Sequence, residues 1–299
     1  MRQALIELIQ KTIIYEYDLP NPTKGVGRTI FSTENDHCYS AKDCNAIAEI
    51  MYNSIIDYSF NEFELVGKDL DAMHSVALKT KLKYNPDADD AAKIKYGFFG
   101  ETLLYSILMI IYGARPLVAR GYFYNPLESS ETKGYDSYQL VENNGQVELW
   151  FGEVKFHANH TSGIDSVMAN IDKALSDRYL ETNVLAIHNH KNNLNIPGSL
   201  IESILDAWES SPTINIVQQI IKYNMVLVYP VLILYQHDGS HYDINVKKIP
   251  DYIAANYTPK SFGISVPHKI FFIILPLDKV KEIKQNVIQW IESKKPVIS

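Results

Sequence analysis

Apolar residues gather in a handful of runs along this chain, and the period inside each run separates helix from strand. "TIIYEY" (12–17) reads as a strand and "AKDCNAIAEIMYNSIIDYSF" (41–60) as a helix, divided by the turn-rich "LPNPTKGVGR" and followed by a loop at "YNPDADD". From Ala91 the pattern sharpens. "AAKIKYGFFGETLLYSILMIIYG" (91–113) predicts one helix, apolar on nearly every side after Lys95 and therefore buried, with Asp89 and Asp90 as N-terminal caps and Gly113 as its stop.

"PLVARGYF" predicts a short strand and "NPLESSETKG" a polar loop. "YDSYQLVE" and "VELWFGEVKFH" predict two strands of a hairpin joined at "NNG". "IDSVMANIDKALSDRYL" (164–180) places Ile164, Val167, Met168, Ile171, Ala174 and Leu175 on one stripe of an amphipathic helix. A helix at "SLIESILDAWES", strands at "MVLVYPVLILYQ", "HYDINVKKI" and "HKIFFIILPL", and a terminal helix over about 277–293 complete the chain. Helix, hairpin, helix and further strands make an α/β (α+β) fold, a mixed central sheet flanked by helices. Residues 1–90 form an N-terminal elaboration packed on a core built by residues 91–299.

With 299 residues, 46% of them hydrophobic, the chain has ample material for a substantial core. No basic, hydrophobic and cleavage-site sequence opens it, and its apolar runs fall short of the roughly 20 residues a membrane helix needs. The expectation is a cytoplasmic protein without membrane association, its two cysteines, Cys38 and Cys44, free thiols. A formal net charge of −7 argues against holding nucleic acid by overall electrostatics, so a nucleic-acid role needs a local cleft or a partner.

The chemistry concentrates in "LWFGEVKFH". Residues two apart on a strand share a face, so Glu153 and Lys155 project together while Val154 and Phe156 enter the opposite layer. E-x-K occurs four times in the chain, but only this copy lies on an apolar strand. Asp136, across the hairpin, would reach the same end of the sheet, and Glu101 is a lone acid in an apolar helix. Two carboxylates about 5 Å apart repel by roughly 3 kcal/mol at an effective dielectric near 20. A divalent cation removes that conflict. Mg²⁺ (or Mn²⁺) suits Asp136, Glu153 and the Val154 backbone carbonyl, with Lys155 beside the attacking water and the phosphate.

The order of Glu101 on a helix, Asp136 on one strand, "GEVK" on the next and a helix after it resembles the PD-(D/E)XK nuclease superfamily. More narrowly, "GYDSYQL" and "LWFGEVKFH" resemble the nuclease subunits of the Hachiman anti-phage defence system, over roughly residues 93–235. The resemblance implies a restriction-endonuclease-like core, Asp136 and Glu153 as metal ligands, Lys155 as the catalytic lysine and Glu101 as an assisting acid. It further implies DNA as substrate and a helicase subunit as partner. Tyr135 stands where the superfamily's proline would precede Asp136.

Lys93, Lys95, His157, Asn170 and Lys173 are candidate nucleic-acid contacts. "HNH" at 188–190 is a contiguous tripeptide rather than the dispersed metal site of that name, and G-V-G at 25–27 lacks the third glycine of a dinucleotide fingerprint. Two rival functions stand beside the defence nuclease: a non-catalytic DNA- or partner-binding subunit of the same fold, and a stand-alone restriction-type endonuclease.

Overall fold

The computed structural model describes residues 1–128, 130–131, 133–194, 196–209 and 215–299. Its frame is set by the two most apolar runs. β7 (Val226–Gln236) and β8 (His268–Leu277) are buried along nearly their whole length and pair in parallel from Leu227↔His268 to Gln236↔Leu277, as central strands covered on both faces do. Parallel neighbours need a crossover, and α6 (Tyr242–Asn256) supplies it.

That helix corrects the strand expected at "HYDINVKKI". Val246, Ile249 and Ile253 are buried at helical spacing, and this stripe seats the segment on the sheet as a helix. The helix expected over 91–113 is also interrupted. A single turn, Asp90–Lys93, is capped by Asp89, and α3 (Phe98–Ile110) then starts beyond Gly97 and ends before Gly113, whose φ is +66°. The helix expected over 164–180 becomes α4 (His160–Met168), a turn at Ile171–Ala174 and α5 (Asp177–His188), with Asn159 and Ser176 as N-caps of the longer two. All six stripe residues are buried nonetheless. The strand expected at "PLVARGYF" is corrected: only its first residue belongs to a strand, the two-residue β3 (Arg115–Pro116), and its end is a 3-10 turn at Arg120–Phe123.

The eight-stranded mixed sheet runs β1 (Ile13–Leu19), β2 (Asp36–Ala41), β8, β7, β5 (Gln146–Trp150), β4 (Gln139–Asn143), β3, with β6 (Glu153–His157) also beside β7. The α/β expectation is borne out. β4 and β5 form the expected hairpin, with Asn144 (φ +49°) and Gly145 (φ +78°) as the two-residue turn whose positive dihedrals match the twist of the strands. One face of the sheet carries α4, α5 and α6; the other carries α1 (Gln3–Thr12), α2 (Cys44–Ser59), α3 and α7 (Val280–Ser293). The first 90 residues give β1 and β2 to this sheet, β2 pairing in parallel with β8, and give α2 to the second core.

The single strand expected at "VELWFGEVKFH" is instead two, β5 and β6, which lie end to end along β7. Glu148–Trp150 pair with Val226–Val228, the chain bends at Phe151–Gly152, and Glu153–His157 pair with Val231–Tyr235. β4 accompanies only the first of these halves. Beyond Gly152 the sheet therefore forks, and the outer edge of β6 has no strand beside it among the described residues.

Candidate active site

The fork is where the predicted residues meet. On β6, Val154 turns into the layer of α3, where a Cβ built on Gly100 would lie 3.0 Å from its Cγ2. That close approach fixes the height of the strand over the helix. Glu153 and Lys155 turn to the opposite face, under α4, whose Gly163 would bring a Cβ to 3.7 Å from the Lys155 Cβ. Their side chains are only 13% and 19% exposed and form an ion pair with each other.

Asp136 lies on a bend just before β4 rather than on the strand expected for it. Its backbone N–H donates to the Gly152 carbonyl at 2.9 Å, and its Oδ2 accepts the Val154 N–H at 2.8 Å. The Ser137 hydroxyl accepts the Gly152 N–H at 3.2 Å. These bonds lace the 136–137 segment to the bend at 151–152, so the carboxylate takes the place that a neighbouring strand would occupy. Successive residues of a strand send their backbone groups to alternate edges, so the Val154 carbonyl leaves on the same edge as its N–H, beside Asp136.

Burial raises the pKa of both carboxyls. Desolvation lifts Asp136, against the pull of Lys155, the Val154 N–H and Arg120. Desolvation and then the Asp136 charge push Glu153 up to about 7, against Lys155 and Lys173. For Lys155 burial disfavours the charge, but Glu153, Asp136 and Glu101 outweigh it and leave the ammonium more basic than usual. Two buried carboxylates thus share one lysine.

A family model, HamA, matches residues 7–291, nearly the whole chain. The chain belongs to the HamA family. Membership accords with the resemblance carried by "GYDSYQL" and "LWFGEVKFH" and makes a Hachiman-type defence subunit the frame for its function. No curated protein matches the chain.

In this HamA-family chain Glu101 sits in the first turn of α3, its Oε2 accepting the hydroxyl of Tyr58 from α2. It acts on the site through Lys155. Among the described residues no group of three or more His, Cys, Asp or Glu side chains is arranged to hold a metal ion. The donors at the fork are two carboxylates and a carbonyl, all hard oxygens, which fits Mg²⁺ or Mn²⁺ with water completing the shell.

The candidate nucleic-acid contacts divide. Lys173 is exposed, acts on Glu153, and holds its ammonium 4.8 Å from the Tyr179 ring centroid. His157 ends β6, its basicity lowered by burial and by Lys284 and Lys155. Asn170 is exposed and donates to the Ser166 carbonyl at 3.0 Å. Lys95 is exposed on the turn before α3, whereas Lys93 is buried and ion-paired with Glu292 of α7. Lys93 is thus committed to holding α7.

Three groups at the site were not anticipated. The Arg120 charge acts on Asp136, and its guanidinium lies over the Phe123 and Tyr138 rings at 5.2 and 5.6 Å. Tyr179 feels the charges of both Glu153 and Asp136, and Tyr58 holds Glu101. A signal for Arg120 existed: it is the only charge between Arg115 and Glu128, the same lone-charge pattern that singled out Glu101.

Proposed function

We propose that this HamA-family protein is a metal-dependent DNA nuclease of the PD-(D/E)XK type, the effector subunit of a Hachiman-type complex that works with a helicase subunit. The observation carrying this reading is the convergence of Asp136, Glu153 and Lys155 at the open edge of β6. Asp136, Glu153 and the Val154 carbonyl would hold Mg²⁺ or Mn²⁺, which when bound supplies Lewis acidity and a more acidic water. Lys155, anchored on the same rigid strand, orients the attacking water by hydrogen bond and offsets negative charge gathering on the phosphate oxygens. Glu101 tunes that ammonium from the α3 side, and Tyr58 fixes its carboxylate. Lys173 and Arg120 add positive charge around the site. The net charge of −7 favours a partner that delivers the nucleic acid, and that task would fall to the helicase.

Plasmid cleavage with Mg²⁺, with and without the helicase subunit, tests this reading. Wild type cuts and Glu153→Ala does not; equal cutting by both removes the site assignment. A non-catalytic DNA- or partner-binding subunit is the second reading, favoured by the lack of a third clustered ligand side chain among the described residues. It predicts binding without turnover under any divalent metal.

A further inference from the structure

Lys284, on α7, is 8% exposed. Its Nζ donates to the Phe156 carbonyl at 3.0 Å and lies 4.3 Å from the Phe156 ring centroid and 5.9 Å from that of Phe99. Burial pulls its pKa down to about 8, and no carboxylate among the described residues contributes an opposing effect. The group is thus a cation at neutral pH, with a carbonyl and two ring faces but no anion among the described residues. A buried charge without a counter-ion is costly, and an ammonium has three donors to satisfy.

Its position gives that cost a use. Phe156 is two residues beyond Val154, so its carbonyl leaves on the same open edge, about 7 Å further along at the rise of a strand. Lys284 and Lys155 both depress the basicity of His157, the last residue of β6, so both charges act at that end of the strand. The edge runs from two carboxylates and the Val154 carbonyl at the fork to an uncompensated cation one pleat away. A nucleic-acid strand lying along it would place its next phosphate at that cation.

We propose that Lys284 binds a backbone phosphate neighbouring the one attacked at Asp136, Glu153 and Lys155, and so sets the register of the DNA strand. This rests on the nuclease reading above. Capping the Phe156 carbonyl alone would give Lys284 a structural role, and the two roles separate experimentally.

Fluorescent single-stranded and duplex oligonucleotides are titrated into the full-length Glu153→Gln protein, alone and with the helicase subunit, at several salt concentrations. The same titrations are run with Lys284→Met or Lys284→Arg added. The proposal expects Lys284→Met to bind several-fold more weakly, with the slope of log affinity against log salt smaller by about one. Lys284→Arg keeps most of the affinity, and the melting temperature of Lys284→Met is no lower than the parent's. Unchanged affinity and slope in Lys284→Met overturn it. So does a loss of binding that tracks a fall in melting temperature, with Lys284→Arg restoring the fold but not the binding. A Glu153→Gln parent that binds no DNA in either form overturns the nuclease reading itself, and this inference with it.

Discussion

The backbone N–H of Val154 donates to the Asp136 carboxylate at 2.8 Å, tying the residue between Glu153 and Lys155 to an acid 18 positions earlier in the chain. This bond closes the fork: the acid caps the strand edge whose other backbone group, the Val154 carbonyl, stays beside it. One residue, Val154, thereby orients a carboxylate through its N–H and sets its carbonyl beside it, with a charged side chain on either side.

Asp136→Asn keeps an oxygen that can accept the Val154 N–H but removes the anion. The fold should persist, with a melting temperature equal to the parent's or higher, because a buried carboxylate disfavoured by desolvation has been neutralised. Metal-dependent plasmid cleavage should fall about a hundredfold or more. Retained cleavage would remove Asp136 from the site.

Lys155→Met should destabilise the protein by about 3 kcal/mol near neutral pH, since it strands two buried carboxyls without their cation. The sign with pH follows from Glu153, whose folded pKa is already raised from 4.5 to about 7 and rises further without Lys155. Between those values the folded state holds a proton that the unfolded state has released, so stability is present at low pH and lost as pH rises. Urea unfolding at about pH 5 and about pH 8 should show the penalty growing with pH. A penalty that shrinks as pH rises would contradict the electrostatic account.

Gly100→Ala tests the packing beneath the site. The new methyl would stand 3.0 and 3.3 Å from the two Val154 methyls. Overpacking costs about 1–3 kcal/mol, against about 1 kcal/mol gained in helix propensity, so a net loss near 1 kcal/mol is expected. Because Val154 carries the strand between Glu153 and Lys155, cleavage should fall further than the loss of folded protein accounts for. A variant that gains stability and keeps full activity would show that β6 has slack.

The strands were legible because their composition leaves few options. β7 and β8 are nearly unbroken apolar runs, and "NNG" between two alternating segments can hardly be other than a tight hairpin. "HYDINVKKI" misled because its first residues alternate; the need to return from β7 to a parallel β8 made it a helix, a requirement that only the sheet order reveals. Glu101, Glu153 and Lys155 could be named from charges in apolar surroundings, and Asp136 from its place across the hairpin. Their arrangement could not. That Asp136 stops short of its strand and substitutes for a strand neighbour depends on a bend at Gly152, and that Lys93 belongs to Glu292 depends on where the terminal helix packs. Lys284 was hidden by its own motif, since E-x-K in a helix places the two charges on different faces, and only tertiary packing buries the lysine against Phe156.

The central claim is that Asp136 and Glu153 share a cation at the fork of the sheet. Its most direct test is an anomalous difference map from crystals soaked in Mn²⁺, at a concentration that supports plasmid cleavage. The account predicts a peak ligated by both carboxylates and the Val154 carbonyl, with Lys155 released from Glu153. A map with no peak there and Lys155 still closed on Glu153, from protein that cuts DNA under those conditions, would contradict it.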